Sequence, residues 1–386
     1  MVTAWLAVAL CVLTGCTVGG SPSGGGEAGA APPQSAIAVS PAGGNVVSPT
    51  TPIVVTATSA TLGTVTVTNP ADGKTVTGAL SPDKRTWTSN EPLGYGADYA
   101  VVADAVDGSG KTIDTNATVR TVAPDVTTYP SFIPDPTATD SWGVGQIIGV
   151  SFDHDVTDRA AAVKALSVQS VPPQPGAWYW IDAKTVHYRP QNYWQPGTTI
   201  TLSANIYGVD LGGGVYGRTD RTATYKIHDS WIAKADGNTD QLTIFHNGVQ
   251  VNQMPMSLGS PGHPSHEGPH VISDKQNSVV MDSCSYGVCA GAPGYYKETV
   301  YLDEQISADG EYVHSAPWSV GEQGESNVSH GCVNLSPENA QWFFDHFNLG
   351  DVVEVTNSGG PKLPVWDTYG DWEVPWNVWQ QGGLDN

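Results

Sequence analysis

Leu242-Thr243-Ile244-Phe245-His246-Asn247-Gly248-Val249-Gln250-Val251 sets the fold class of this chain. Two short runs of strand formers flank Asn247-Gly248, the dipeptide that suits a two-residue hairpin turn because both of its positions need a positive φ. Strand patterns continue downstream through Ser278-Val279-Val280-Met281 and on to Gly310-Glu311-Tyr312-Val313, and Asp351-Val352-Val353-Glu354-Val355 closes the sheet. One main helix interrupts them. Ser336-Pro337-Glu338 supplies an N-cap, a proline at the first helical position and an acid in the first turn. The helix is expected to run to about Phe347 and to stop before Gly350, a suitable C-cap. Upstream, Ile147-Ile148-Gly149-Val150-Ser151-Phe152 and Thr185-Val186-His187-Tyr188-Arg189 alternate as half-buried strands do, with a short helix expected from Asp158 to Ala165. Further upstream, Ile53-Val54-Val55-Thr56, Thr64-Val65-Thr66-Val67 and Tyr99-Ala100-Val101-Val102 are separated by turn clusters, the spacing of a small β-sandwich. The reading is mainly β: two sandwiches, then a β-rich domain with one main helix and a Trp-rich C-terminal tail.

Composition narrows the function. The chain has 386 residues, too many for one core, with 38 acidic residues against 16 basic ones and a formal charge of −22. That balance argues against nucleic acid, which needs a cationic surface, and against electrostatic attachment to anionic lipid. Residues 17–36 are Gly, Ser, Ala and Pro with almost no large apolar side chains, so they are expected to act as a flexible linker. Trp178, Tyr179, Trp180 and Trp194 read as packing residues of the second sandwich, since most aromatics in a sandwich are buried.

The chemistry lies in Ser329-His330-Gly331-Cys332-Val333-Asn334, with His314 eighteen residues before Cys332 inside Tyr312-Val313-His314-Ser315-Ala316-Pro317-Trp318. Glycine and polar residues flank Cys332, unlike the apolar neighbours of a core cysteine. A free thiol at its ordinary pKa of about 8.5 is mostly protonated at neutral pH. An imidazole within reach can take the proton and leave a thiolate to attack an amide or ester carbonyl. The tetrahedral intermediate then needs donors at its oxyanion, and the backbone amides of Gly331 and Cys332 suit that role by position. His314 is the candidate base.

A histidine, fourteen residues, Ser-His-Gly-Cys, one apolar residue and Asn together resemble the signature of the L,D-transpeptidases of peptidoglycan, the YkuD family. Two immunoglobulin-like sandwiches before the catalytic domain resemble the mycobacterial type of that family, most closely from about Gly143 onward. The resemblance implies domains at 37–122 and 123–228 (immunoglobulin-like), 229–356 (catalytic) and 357–386 (a Trp-rich subdomain packing back on the others). It implies that the main-chain carbonyl of Ser315 orients His314 and that the Tyr296 hydroxyl joins the oxyanion donors. Tyr286, Met281, Trp318, Ser329, His330 and Asn334 fall along the substrate path, with His330 and Asn334 also bracing the loop. In the implied reaction Cys332 attacks the bond between meso-diaminopimelate and terminal D-Ala of one stem peptide. A second stem's amine then takes the thioester, giving a 3→3 cross-link. No metal or organic cofactor is required, and carbapenems are expected to acylate the thiol. An L,D-carboxypeptidase, with water as acceptor, is the rival enzyme. A non-catalytic wall-binding spacer is the rival of another class.

Three further signals belong here. Trp5 to Leu13 is too short to span a bilayer, and Leu13-Thr14-Gly15-Cys16 resembles the lipobox of bacterial lipoproteins. This implies a signal peptide at 1–16, lipidation of Cys16 and a membrane anchor on the extracytoplasmic face, toward the cell wall. His266-Glu267-Gly268-Pro269-His270 fits the zincin formula, which works only on a helix; Gly268 and Pro269 oppose one, so the stretch reads as a loop. Cys284 and Cys289 stand close enough to form a disulfide in an oxidising compartment, stiffening the turn that the resemblance places over the site.

Overall fold

The computed structural model describes residues 36–41, 43–293 and 295–384. Cys16, the expected signal peptide and all but the last residue of the expected linker lie outside them.

Strict alternation builds the first sandwich. In Asp98–Asp107 the side chains of Tyr99, Val101, Ala103 and Ala105 point inward, because successive residues of a strand face opposite sides. They meet Val55 and Trp87 of the facing sheet, and Ile53 just before it, in an apolar core. The second sandwich follows with a four-stranded sheet, Pro130–Ile133, Ile148–Phe152, Thr185–Pro190 and Gly176–Trp180, and a three-stranded sheet, Leu166–Val171, Thr199–Ala204 and Arg221–Lys226. Its core holds Trp142, Trp194, Ile200 and Tyr225. The helix Arg159–Ala165 is capped by the Asp158 carboxylate, which accepts from the Ala161 amide at 2.9 Å. Tyrosines join the two sandwiches: Tyr95 Oη donates to Gly217 O at 2.6 Å and Tyr207 Oη to Leu93 O at 2.7 Å.

Nine strands form the last domain: β1 (Trp231–Asp236), β2 (Gln241–His246), β3 (Val249–Pro255), β4 (Gly268–Val271), β5 (Asp274–Asp282), β6 (Lys297–Gln305), β7 (Tyr312–Ser315), β8 (Val333–Leu335) and β9 (Val352–Thr356). One sheet runs β3-β2-β1-β9-β4 and the other β5-β6-β7-β8. The β2–β3 turn holds Asn247 at φ 49° and Gly248 at φ 79°, the left-handed pair that Asn-Gly favours. The helix Pro337–His346 carries its Ser336 cap, and its Phe343 joins Phe347 in the core between Val313 and Val333 of one sheet and Ile244 and Val353 of the other. Lys275 Nζ donates to the carbonyls of Phe344 and Phe347 at the end of that helix. The strand read at Gly310–Val313 starts only at Tyr312, because Gly310 closes a turn at φ 112°.

The tail docks on the second sandwich around one cation. Arg189 is buried, its guanidinium 4.4 Å from the Trp379 ring and 4.8 Å from that of Trp372, with Trp376 at 5.5 Å. Its Nη2 donates to Val374 O at 2.6 Å. The Trp372 indole donates to Gly145 O and that of Trp379 to Ala177 O, each at 2.8 Å. Trp180 and Trp194 are buried, Tyr179 stacks on Trp379, and Trp366 is exposed.

Candidate active site

Parallel pairing of β7 with β8 sets His314 directly opposite Asn334, and the Ser329–Cys332 loop leads into β8. That loop is tied down almost atom by atom. Ser329 Oγ accepts from the Gly331 amide at 3.1 Å and donates to Cys332 O at 2.7 Å. Ser265 Oγ donates to Gly331 O at 2.6 Å. Gly331 sits at φ 123°, and a Cβ there would come within 3.1 Å of Glu311 Oε1, so only glycine fits. The Gly331 amide, expected to face an oxyanion, is therefore engaged by Ser329. The hydroxyl of Ser329 serves the loop's own geometry, and Asn334 Nδ2 donates to Ser319 Oγ at 3.1 Å.

His314 is 3 % exposed, and its Nδ1–H donates to Ser315 O at 3.1 Å. That bond fixes the tautomer and leaves Nε2 as the proton acceptor. Burial lowers its pKa to about 4, against the opposing pull of the Ser315 carbonyl and the Asn334 side chain. The imidazole is neutral at neutral pH, with Nε2 unprotonated. Cys332, the free cysteine among the described residues, is buried with Sγ 3.7 Å from Gly310 O. Burial pushes its thiol up to about 12; the Tyr312 amide opposes this, and the carboxylates of Glu311, Asp303 and Asp309 add to it. At rest the sulfur is a thiol, so a base must act before it can attack.

Two clefts meet at the sulfur. One, of about 350 Å³, is lined by His263, His266, Asp282, Asp309, Glu311 and Tyr312; the other, of about 280 Å³, by Glu298, Val300, His314, Trp318, Val328 and Asn334. Met281, Tyr296, His330 and Cys332 border both. Trp318 is half exposed, its ring 5.9 Å from that of His314, and the Tyr296 ring lies 5.4 Å from that of His330. A disulfide joins Cys284 to Cys289 in the turn above. Beneath it the buried Ser283 accepts from the Tyr296 amide through Oγ at 3.0 Å and donates its own amide to Tyr296 O at 3.1 Å. Tyr286 ends the short 3-10 turn Ser283–Tyr286, and its side chain lies outside what is described.

The zincin-like stretch is not helical. Gly268–Val271 is the edge strand β4, entered at φ 108°, where a loop was expected throughout. His266 Nδ1 and His270 Nε2 turn to the two oxygens of Glu311, at 3.2 and 3.4 Å. Burial would raise the Glu311 carboxyl, but these imidazoles win and hold it below its ordinary value. Glu311, Ser265, Ser283 and Asp303 escaped the sequence reading. The one signal available was Asp303-Glu304, two adjacent acids inside a strand-forming run.

Residues 44–210 match a bacterial Ig domain family, Big_10, and residues 230–355 match YkuD, the L,D-transpeptidase catalytic domain. L,D-transpeptidase 2 of Mycobacterium tuberculosis (strain CDC 1551 / Oshkosh) is 42 % identical over 331 residues, covering 86 % of this chain and 80 % of that protein. L,D-transpeptidase 5 of Mycobacterium tuberculosis (strain ATCC 25618 / H37Rv) is 33 % identical over 323 residues, 82 % of this chain and 69 % of that one. Among solved structures, that of LD transpeptidase LdtMt1 in complex with imipenem aligns at a TM-score of 0.51 with 33 % identity, covering 59 % of this chain and 99 % of its own.

Proposed function

This chain belongs to the L,D-transpeptidase family, and from that premise we propose that Cys332 is the acylated nucleophile and His314 its base. The reaction is peptidoglycan L,D-transpeptidation. His314 Nε2 takes the thiol proton, and Sγ bonds to the carbonyl carbon of meso-diaminopimelate in a donor tetrapeptide stem. The C–N bond to terminal D-Ala breaks, D-Ala leaves with the proton, and a thioester remains. The side-chain amine of a second stem attacks that carbonyl; Sγ departs and recovers a proton through His314. The observation that carries this reading is the buried, neutral imidazole held by the Ser315 carbonyl in a cleft that also contains Cys332. The Cys332 amide and the Tyr296 hydroxyl supply the oxyanion donors. Donors of this kind help only when oriented before charge develops, and the Ser283 bonds to the Tyr296 backbone serve that purpose.

Carbapenems, which carry a strained amide, acylate the same thiol. Cys16 bears the lipid that tethers the enzyme to the outer face of the membrane; Cys16→Ala should release it to the soluble fraction. For the chemistry, soluble protein is incubated with disaccharide-tetrapeptide and the products read by mass spectrometry. Cross-linked dimer with loss of D-Ala is expected from wild type, and neither dimer nor carbapenem adduct from Cys332→Ala of unchanged melting temperature. An adduct that survives Cys332→Ala overturns the assignment.

A further inference from the structure

The sulfur opens on two clefts and the base on one. Cys332 borders both, whereas His314 lines only the second. An amine that takes the thioester gives up a proton to His314 on its way to amide, so it has to arrive through that second cleft. Alternation along β6 builds one of the cleft's walls. Tyr296, Glu298 and Val300 line it at every second position, because successive residues of a strand face opposite sides. Met281 stands level with Glu298 across β5 and β6. Trp318 and Val328 add further apolar lining. Methylene groups suit such walls and water does not. Glu298 is the exception: it is exposed, and it is the one acid among the described residues that line this cleft.

We propose that Glu298 is a specificity-determining residue for the acceptor: its carboxylate binds the ammonium group on the incoming stem's diaminopimelate side chain, and so favours that amine over water at the thioester. The proposal rests on the transpeptidase reading of Cys332 and His314 and names what that site selects. The acids of the first cleft already have partners. Asp282 pairs with Lys297 Nζ at 2.8 Å, Glu311 lies between His266 and His270, and Asp309 is 3.7 Å from His266. Lys297 is next in sequence to Glu298, but it faces the other side of β6 and is engaged by Asp282. Glu298 makes no ion pair with any described residue. Burial holds both His314 and His330 toward their neutral forms, so neither ring offsets the carboxylate. An ammonium ion entering this cleft therefore finds one strong partner on otherwise apolar walls, and an uncharged acceptor finds none. The formal charge of −22 adds a long-range pull on cations, for which Glu298 provides an end point at the site. Binding precedes chemistry: the ammonium loses one proton to solvent, and the free amine then attacks as described above.

The test is competition between the two acceptors. Soluble protein is given disaccharide-tetrapeptide, and the ratio of cross-linked dimer to free tripeptide, the product of hydrolysis, is read by mass spectrometry. Glu298→Gln should lower that ratio about threefold, the size of one exposed charge contact. Glu298→Lys reverses the charge, doubles the free-energy change and should lower the ratio roughly tenfold. Added salt should lower the wild-type ratio more steeply than that of Glu298→Gln, since screening acts on the charge that the variant lacks. A loss of packing alone would not give this salt signature. Glu322→Gln is the control: that acid is exposed, follows Trp318 closely in sequence and lines neither cleft, so its ratio should stay at the wild-type value. An unchanged ratio and salt dependence in both Glu298 variants overturns the role of Glu298 and leaves Cys332 and His314 in place. A wild type that yields no dimer overturns the transpeptidase reading, and this inference with it.

Discussion

The first sandwich and the sheet β5–β8 bury their side chains by opposite rules. In the sandwich the interior is Ile53, Val55, Val101 and their like, and a bidentate ion pair, Arg120 with Asp98 at 2.7 Å, stays at the surface. In the catalytic sheet Asp303, Glu304 and His314 are buried beside an apolar core, and Glu311 lies in the turn leading to β7. Burying charge is costly unless it is paired, and hydrophobic burial is what stabilises a small domain. The contrast teaches that this chain assigns stability to one region and reactivity to the other. Changes in the two should then separate cleanly into effects on folding and effects on rate.

His314→Ala should give the largest separation. Carbapenem acylation should fall roughly 10²–10⁴-fold, because a placed proton acceptor contributes about that much. Alkylation of the thiol followed against pH should lose its dependence on the imidazole, and equal reactivity in wild type and variant would contradict the assignment. Acid should expose the cost of the same residue. The unfolded chain protonates this histidine near its ordinary 6.5 and the folded one only near 4, so the stability from the buried neutral ring is complete above 6.5 and is lost as pH falls toward 4. The wild type should lose up to ~3 kcal/mol more over that window than His314→Gln in equilibrium denaturation. Val101→Ala sits on the other side of the comparison. It should cost about 2 kcal/mol of stability by the same measurement while the folded protein acylates at the wild-type rate. A slower rate would mean that the sandwich feeds into the chemistry. Tyr296→Phe is the smallest and finest test. Acylation should drop about tenfold with melting unchanged, and an unchanged rate would leave the oxyanion to backbone amides alone.

What was legible in the sequence followed the same divide. The Asn247-Gly248 hairpin, the Ser336 cap of the main helix and the Asp158 helix start were readable because each is a local rule satisfied by a few consecutive residues. The Ser-His-Gly-Cys loop with its upstream histidine was readable because chemistry demands those residue types together. The clamp of Ser265 and Ser329 on the loop was not, since Ser265 reaches Gly331 from 66 residues away. Nor was the engagement of His266 and His270 by Glu311, which makes a zincin-like string into an ion-paired corner. The bulge of β6 at Leu302–Asp303, where the pairing with β7 passes from Tyr301↔Ser315 to Glu304↔Val313, was hidden for another reason. Alternation predicts that an acid in a buried strand faces out, and a one-residue insertion in the pairing reverses that face.

The cage around Arg189 bears on where this protein can be cut. The guanidinium belongs to the second sandwich, while its three indoles and one carbonyl come from the last fifteen residues of the chain. Stopping the chain after β9 would uncover that cation and the apolar surface around it to water, and would remove the Asp371 carboxylate that pairs with His187 at 2.7 Å. The YkuD-like segment is held from both sides as well, by the Gly143 amide of the second sandwich on Leu349 O and by its own Glu267 amide on Pro361 O of the tail, each at 2.8 Å, and it should not stand as an autonomous module. Its smallest self-sufficient piece includes the sandwich before it and the tail after it, so an expression boundary drawn at the edges of the catalytic sequence would yield an unsupported half.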